Sequence, residues 1–252
     1  MIKYLIFTIF TLYSLPVFAG EIKLDADERV EYHQKEQKLV AKGNAVAAKD
    51  DMSIKASTLI GYYDKTSKNK ITKVEAYDNV EMKTPQADAK GDRLIYDIST
   101  DSAVLTGAPA TIKTPDSTIT SQGPITYYQS EQKAIATDNV IATDAKGNKV
   151  YADKMTAYFT KDQNGKMVLE KIDIEQNVKI TSTDTTVTSL TGTYYAAQGK
   201  IKLFDNVVIN QKGNILKGDL AETDLNTGIS KLLSSKKTGR VSGIFKEKQK
   251  KE

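Results

Sequence analysis

The chain of 252 residues has no cysteine and a single histidine, His33, which excludes disulfides and thiolate metal sites and argues against a histidine-based catalytic triad. Its formal net charge of +4 is unevenly placed: residues 231–252 carry a net +6, whereas the body without Lys3 holds 27 basic and 30 acidic residues. This balance does not support a uniformly basic nucleic-acid-binding face.

The first twenty residues are typical of an export signal. Lys3 precedes an apolar run at 4–15, and Val17 and Ala19 suit signal-peptidase cleavage after Ala19. The run is short for a membrane span and its downstream flank is polar, although an uncleaved anchor stays open as the alternative. No cysteine lies near the site, which excludes a lipid-anchored lipoprotein. We therefore predict a signal peptide at 1–19 and an exported mature protein.

One phrase recurs along the rest of the chain: an alternating apolar stretch, an Asp-Asn or Gly-Asn pair, and a second alternating stretch. The copies lie at 39–46, 74–82, 134–140, 172–180 and 201–209, with a degenerate copy at 104–112. Shorter strand-like phrases ending in aromatic residues precede the copies, and turn-forming residues such as those at 97–101 and 162–165 connect them. A recurring phrase of this kind predicts stacked supersecondary units.

The apolar residues inside the phrases alternate with a period of two. In the second copy Val74, Ala76, Val80 and Met82 share one parity, and Glu75 takes the other. This pattern predicts strands with one apolar and one polar face, and hence an all-β fold. Hairpins of this kind must stack and face a second sheet, and the pattern is compatible with an elongated sandwich, a jelly roll or a solenoid.

The sequence offers little that resembles catalytic machinery. Asp25, Asp27, Asp50, Asp51 and Asp144 lie in or beside turn-like polar stretches, where solvated turn acids are expected. No nucleophile elbow, phosphate loop or metal-ligand spacing is present. The recurrent Asp-Asn pairs suit backbone turning better than catalysis. We predict a protein that is not an enzyme and has no metal or cofactor.

The apolar stripe that repeats along the stack has two interpretations. If the facing sheets close tightly, the stripe is only a core. If they splay, the same residues line a trough that suits acyl chains, since each buried methylene contributes about 0.8 kcal/mol. Many inward positions are Ala, Val or Ile, and composition leaves both interpretations open.

The repeated Leu/Ile-x-Ala-x-Gly/Asp-Asn-Val-x-Val phrase, the preceding Ala-x-x-x-x-Tyr-Asp phrase and the closing segments 213–221 and 226–232 resemble the OstA-like, LptA-type family. That family comprises periplasmic lipopolysaccharide-transport proteins of Gram-negative bacteria. The similarity covers most of 22–232, and it rests on the order and number of phrases together with the signal peptide. Two departures are a chain longer than a minimal member and a basic C-terminal tail.

The resemblance implies an open, twisted, V-shaped β-jelly roll of two facing antiparallel sheets in the periplasm, with lipid A acyl chains held inside. It also implies head-to-tail self-association through edge strands, with inner-membrane and outer-membrane transport components of the same fold as partners. We predict a jelly-roll domain at 20–232 with about seven two-strand units, and a flexible basic tail at 233–252. The tail is either a solvated end or a contact for anionic lipid or a partner.

The predicted function is a periplasmic bridge that carries lipopolysaccharide from the inner to the outer membrane by shielding its acyl chains in an apolar groove. The first alternative is a structural or adhesive β-solenoid with a solid core. The second is a polysaccharide-processing enzyme, which would need close carboxylates among Asp25, Asp27, Asp50 and Asp51. The parity of Ile135 differs from that of its counterparts. The residues predicted to line the groove are Val74, Ala76, Val80, Met82, Ile135, Val140, Ile172, Ile174, Val178 and Ile180.

Overall fold

The structure is a computed structural model that describes residues 22–64, 66, 70–224, 227, 229–234 and 240–245. Every helix or strand assigned within these residues is a strand, so the predicted all-β fold is confirmed. The predicted signal peptide lies outside the described residues. The strands are β1 Lys23–Asp25, β2 Arg29–His33, β3 Lys38–Lys49, β4 Met52–Asp64, β5 Lys70–Lys83, β6 Asp88–Asp97, β7 Ser102–Thr106, β8 Ala110–Lys113, β9 Ser117–Ser121, β10 Ile125–Tyr128, β11 Lys133–Asp144, β12 Lys149–Lys161, β13 Met167–Thr181, β14 Thr185–Tyr195, β15 Lys200–Gln211, β16 Asn214–Asp224, β17 Ser230–Leu233 and β18 Ser242–Ile244.

The strands form one continuous 18-stranded sheet in which most strands pair with their neighbours in sequence. Each pairing is antiparallel, as hairpin connections require. The longest strands exceed ten residues, which is long for a globular protein, and each of them bends near its middle.

The recurrent Asn-containing pairs produce these bends. In β5, Asp78 and Asn79 have φ angles of 61° and 55°, and the register with β6 jumps from Tyr77 to Val80. Two residues of β5 therefore face one residue of β6, which is a β-bulge. Equivalent pairs with positive φ lie at 43–44, 138–139, 176–177 and 205–206. Asn, Asp and Gly tolerate this left-handed backbone better than other residues, which explains their recurrence there.

The residue after each bulge is among the most deeply buried of its strand. These residues are at most 1% exposed, whereas the Asn residues of the bulges are exposed. The bulges thus form a fold line: the backbone turns outward for two residues and the next side chain enters the core. The buried residues are Ala45, Val80, Val140, Val178 and Val207.

The fold line divides the sheet into two halves, which we call wing 1 and wing 2. Wing 1 contains the strand segments 38–42, 58–64, 70–77, 93–97, 133–137, 154–161, 167–175, 191–195, 200–204 and 220–224 with β2, β7, β10 and β17. Wing 2 contains 45–49, 52–55, 80–83, 88–91, 140–144, 149–152, 178–181, 185–189, 207–211 and 214–218 with β1, β8, β9 and β18. The two facing sheets predicted from sequence are these two wings of one sheet.

The degenerate copy of the phrase interrupts the long strands. Around Gly107 and Pro109 one strand is split into β7 in wing 1 and β8 in wing 2, and the Ala108–Pro109 peptide bond is cis. Proline has no N–H to donate to a sheet ladder, so the break falls where the chain crosses the fold line. The return crossing, between β9 and β10, passes through Gly123 and Pro124.

The core lies between the wings and is built from one apolar row of each. Cross-strand register carries the wing 2 row almost unbroken from the first strand to the sixteenth. Its members are Leu24, Ala47, Ile54, Met82, Ala89, Ile112, Ile119, Ala142, Val150, Ile180, Val187, Ile209 and Leu216.

The sheet extends past residue 232, where the sequence placed the end of the domain. β17 runs to Leu233, and β18 pairs with β16 in wing 2, with Ile244 opposite Ile215. Part of the segment predicted as a flexible tail is therefore strand. Its alternating Val241, Gly243 and Phe245 were too short a signal, next to so many lysines, to be recognised as one.

Candidate functional site

An apolar cavity of about 310 Å³ lies between the wings and is partly open to solvent. Its walls come from both wings, so it is a space that the two inner faces leave unfilled. The wing 1 wall includes Leu59, Val74, Leu94, Leu105, Ile125 and Met155. The wing 2 wall includes Ala47, Ile54, Met82, Ala89, Ile112 and Ile119.

The lining reaches the hairpin ends of both wings, which lie opposite the fold line. Lys49, Met52 and Ser53 belong to the wing 2 hairpin between β3 and β4, and Ile71 lies at the wing 1 hairpin end of β5. The cavity thus extends from the interior toward the edge where the wings are not joined by continuous strands. We call this edge the mouth.

The structure divides the ten predicted groove residues between the cavity wall and the solid core. Val74, Met82, Ile135 and Ile172 line the cavity. Ile180 is partly buried and packs against the core. The other five are buried core residues that do not border the cavity: Ala76, Val80, Val140, Ile174 and Val178.

Ile135 lies on the opposite parity from its neighbours, as its sequence phrase indicated. Ala134 and Ala136 both pack in the core, whereas Ile135 pairs with Thr126 and Thr156. It borders the cavity although strand alternation places its side chain on the other face from the two alanines.

Small side chains explain why the cavity is there. Eight alanines border it, and Gly61 faces Val74 and Leu39 across its strand pairs. An alanine at an inward position leaves room that a valine or leucine would fill. The signal was present in the sequence as a clustering of inward alanines, but only the register shows that they share one space. The alanines that border the cavity are Ala47, Ala48, Ala89, Ala103, Ala134, Ala136, Ala142 and Ala157, of which Ala48 has the opposite parity to the inward Ala47.

Buried tyrosines form part of the wing 1 wall near the mouth. Tyr96 and Tyr127 both border the cavity, and the Tyr127 ring meets Phe159 edge to face at 6.4 Å. Burial raises the pKa of Tyr127 to about 12 and also raises the pKa of Tyr96 above its ordinary value. Both phenols are therefore neutral at physiological pH, and they add no charge to the apolar wall.

The outer face of wing 1 carries a compact polar cluster around Glu75, which is 6% exposed. Lys73 Nζ lies 2.7 Å from one carboxylate oxygen, and the hydroxyls of Tyr62 and Tyr77 donate to the other at 3.1 and 2.8 Å. Burial raises the pKa of Glu75, but these hydrogen bonds outweigh it and the net pKa is lowered. The cluster ties three positions of wing 1 together behind the cavity wall.

The acids considered for catalysis are dispersed. Asp25 pairs with Lys23 at 3.3 Å, and Asp27 accepts a hydrogen bond from Asn44 at 2.8 Å near the fold line. Asp50 and Asp51 form the exposed turn between β3 and β4. Asp144 accepts hydrogen bonds from the backbone N–H groups of the turn that follows it. Each of these contacts is a turn, edge or bulge contact.

Within the described residues there is no cluster of three or more potential metal ligands. The same part of the chain contains no helix of the length and hydropathy that membrane crossing requires.

Comparison with known proteins gives one family. Residues 23–133 and 124–229 each match the profile described as "LptA/(LptD N-terminal domain) LPS transport protein". Among solved structures, the chain is similar to LptH, the LptA-homologous periplasmic component of the lipopolysaccharide transport device of Pseudomonas aeruginosa. The identity is 12%, the match covers 90% of this chain and 96% of that one, and the TM-score is 0.23. No curated protein matches the chain. Because the two profile matches together span most of the sequence and confirm the resemblance of its repeated phrases, the chain belongs to the LptA/LptD N-terminal domain family of lipopolysaccharide transport proteins.

Proposed function

We propose that this protein is a periplasmic carrier that shields the acyl chains of lipopolysaccharide in the cavity between its wings. The observation that carries the proposal is the partly open apolar space lined by both wings. A structural β-solenoid gains nothing from leaving such a space, because an unfilled cavity costs stability in proportion to its volume. The predicted groove residues Val74, Met82, Ile135 and Ile172 are the proposed contacts for acyl chains.

The size of the cavity limits what it holds in this conformation. Ligand sites for small molecules have volumes of about 300–1,000 Å³, so a cavity of about 310 Å³ suits part of a multi-chain lipid. Ten methylenes moved from water into it would contribute about 8 kcal/mol before entropic costs. Among the described residues each strand pair runs within one wing away from the fold line, so further separation of the wings at the mouth would admit more chain without breaking a strand pair.

We infer that copies of the chain associate head to tail through the two ends of the sheet. Seven of the eight exposed large apolar side chains among the described residues lie at these ends. Unpaired edges present N–H and C=O groups to which another strand can add. At one end they are Val30 and Tyr32 of β2, and at the other Ile229, Leu233, Val241, Ile244 and Phe245 in and beside β17 and β18. The same unpaired edges would also pair with transport components of the inner and outer membranes that have the same fold.

Site-specific photo-crosslinking in cells that make lipopolysaccharide tests the carrier function. A photoreactive residue at Met82 or Ile172 should form adducts with lipopolysaccharide, because both positions border the cavity. Lys179 lies between the core residues Val178 and Ile180 on the opposite face and serves as the control. Adducts at the control but not at the cavity positions would contradict the proposal.

Self-association is tested separately with a charged residue at each end. Tyr32→Asp and Ile244→Asp should each shift the protein toward monomer in analytical ultracentrifugation. Each head-to-tail contact joins one end of one copy to the other end of the next, so damage to one end is enough to prevent it. A mixture of the two variants should form a dimer through their intact ends. Leu190→Asp, an exposed apolar position away from the ends, should leave association unchanged.

A further inference from the structure

The family profile matches this chain twice, at residues 23–133 and at 124–229, and the strands of the structure are divided in the same way. Most strands run through both wings, but at three places in the described part of the chain the strand that crosses the fold line is split into two short ones. These split strands are β1 with β2 at the first end of the sheet, β7 to β10 in the middle, and β17 with β18 at the last end. We call the pairing of β7 with β10 and of β8 with β9 the internal junction. It has the same construction as the two free ends.

The strands that begin the second half of the sheet repeat those that begin the first half. β10 pairs with β11 as β2 pairs with β3, and the bulge that follows in β11 matches the bulge in β3. In this alignment Ile125 takes the place of Val30, and Tyr127 takes the place of Tyr32. Each tyrosine also contacts an aromatic ring in the strand after next. β10 is therefore a second copy of β2.

The two copies differ in what covers them. At the internal junction β7 pairs with the outer edge of β10, and Ile125 and Tyr127 are 6% and 9% exposed. At the first end of the sheet β3 is the one described strand that pairs with β2, and Val30 and Tyr32 are 50% and 51% exposed. Val30 and Tyr32 thus have the residue types of an interior strand and lack the neighbour that would cover them.

The last strands of the sheet take the places of β7 and β8. β17 pairs with β16 in wing 1 and β18 pairs with it in wing 2, as β7 and β8 both pair with β6. The inward row of wing 1 begins at Val30 and ends at Leu232. At the internal junction this row passes from Leu105 to Ile125. Leu232 therefore corresponds to Leu105, and in the register of the junction it would lie opposite Val30 of the next copy.

The inward row of wing 2 gives the same alignment. It begins at Leu24, passes from Ile112 to Ile119 at the internal junction, and ends at Gly243. In the register of the junction Gly243 would lie opposite Leu24 of the next copy. The two wings therefore specify one alignment of successive copies.

Direction and charge fit this alignment as well. The chain crosses from wing 1 to wing 2 in β17 and β18, and from wing 2 to wing 1 in β1 and β2. β17 and β2 of the next copy would therefore run antiparallel, as β7 and β10 do. The same register places Lys231, which is exposed, opposite Glu31 of the next copy, whose side chain is 40% exposed. Opposite charges directly across a strand pair stabilise the pair.

We propose that this chain is two family units joined end to end, and that successive copies of the chain join in the register of its internal junction. β17 of one copy pairs with β2 of the next, and β18 pairs with β1. The inference rests on the proposed head-to-tail association and adds to it the strand pairs, their direction and their register. Its consequence is that the inward rows of both wings continue from one copy into the next.

Engineered cysteines test the register, because the chain has no cysteine of its own. Lys231→Cys protein, distinguished by a size tag, is mixed under mild oxidation with Glu31→Cys, Arg29→Cys or His33→Cys protein. Directly opposite residues of an antiparallel pair have Cβ atoms about 4.5–5.5 Å apart, whereas residues displaced by two positions are about 7–8 Å apart. A disulfide requires the shorter separation. The mixed dimer with Glu31→Cys should therefore form about 10-fold faster than the dimer with either displaced cysteine.

The internal junction supplies the matched control. Val104 and Thr126 are paired there at the positions that correspond to Lys231 and Glu31. The double variant Val104→Cys/Thr126→Cys should form its disulfide within one molecule at any protein concentration. Its rate shows how fast a correctly registered pair reacts in this sheet.

The outcomes separate the register from the association itself. Faster reaction of Arg29→Cys or His33→Cys, or preferred pairing of Lys231→Cys with its own kind, would overturn the register. Association in analytical ultracentrifugation without any of the mixed dimers would overturn it too, because copies would then meet through another surface. An unsubstituted protein that stays monomeric at all concentrations would disprove the head-to-tail association, and the register would fall with it. The carrier function is tested independently by lipopolysaccharide adducts at Met82 and Ile172.

Discussion

The same repeat builds two regions with different interiors. In the cavity region, from β1 to β12, the wings leave a space between them, whereas in the closed region, from β13 to β16, none of the described residues after Ile172 borders that space. Nine of the ten buried alanines precede residue 153, and the tenth is Ala221. The closed region is filled by Leu169, Ile174, Val178, Val187, Tyr194, Ile201, Leu203 and Val207.

The backbone is shared between the regions. The bulge at Asp78 and Asn79 in the cavity region has the same left-handed pair of φ angles as the bulge at Asp205 and Asn206 in the closed region. Both are followed by a valine that is at most 1% exposed. The comparison therefore separates two determinants: the repeated phrase fixes the path of the sheet, and side-chain volume at inward positions decides whether a cavity remains.

Truncation of a large inward side chain should have the largest effect on stability. The loss should be larger in the closed region than in the cavity region. Leu203→Ala should lower the free energy of unfolding by about 3 kcal/mol, because a 5% exposed leucine leaves a new cavity. Met82→Ala should lower it by about 1 kcal/mol, since Met82 already borders an empty space and loses fewer contacts. Urea unfolding monitored by circular dichroism measures both. Equal losses would mean that the two regions are packed alike.

Enlargement of an inward alanine should show the same order: the cavity region should tolerate it better than the closed region. Ala221→Leu should destabilise the protein by about 2 kcal/mol, because Ala221 is 3% exposed and faces Leu203 and Leu232 across its strand pairs. Ala134→Leu should change stability by less than about 1 kcal/mol, because the added methyl groups enter the cavity. The Ala134 variant should also bind an apolar fluorescent probe more weakly than the unsubstituted protein. Unchanged probe binding would contradict the assignment of the cavity as the apolar binding site.

The outer faces of the two regions should also differ. Glu75→Gln should cost about 1.5 kcal/mol, because Glu75 is nearly buried and serves three partners. Asp173→Asn, at the equivalent position of a later repeat, should cost less, since the Asp173 side chain is more exposed and meets Lys171 and Thr193 where Glu75 meets three partners. Chemical denaturation of Glu75→Gln, Asp173→Asn and the unsubstituted protein gives the two losses in the free energy of unfolding.

The contribution of Glu75 should depend on pH. Its pKa in the folded protein is lowered from the ordinary 4.5, so its stabilising effect is complete above pH 4.5 and is lost as pH falls through the lower folded value. The difference in stability between the unsubstituted protein and Glu75→Gln should therefore shrink in acid. A difference that stays constant down to pH 3 would show that the carboxylate charge is not what the cluster uses.

The bulges should give the smallest effects and the same ones in both regions. Asn139→Ala and Asn177→Ala place a residue with a Cβ at φ angles of 49° and 52°, which costs about 1 kcal/mol in the left-handed region. Asn→Gly at either position should cost less than Asn→Ala, because glycine adopts this backbone freely. Thermal unfolding of the four variants tests whether the fold line is equivalent in the two regions. A loss confined to one region would show that the bulges are not interchangeable.

Several features of the protein were determined by its sequence alone. The two-residue period of Val74, Ala76, Val80 and Met82 predicted strands, because alternation is a local property of an extended backbone. The recurrent Asn predicted backbone reversal of some kind, because few other residues tolerate a positive φ. The order of the phrases predicted the family, which the profile matches confirm. The placement of acyl chains against the ten predicted groove residues stays a prediction.

Other features were decided only by the tertiary structure. Whether an inward residue such as Ile174 fills a core or, like Ile172, borders a cavity depends on the volume of residues from the other wing, which are distant in sequence. Likewise, Lys154 and Glu175 form an ion pair at 2.9 Å only because strand register places them opposite each other on neighbouring strands. Parity is set within a strand by local geometry, whereas free volume and charge neutralisation arise between strands, so the sequence specified the first and the packing of the wings decided the other two.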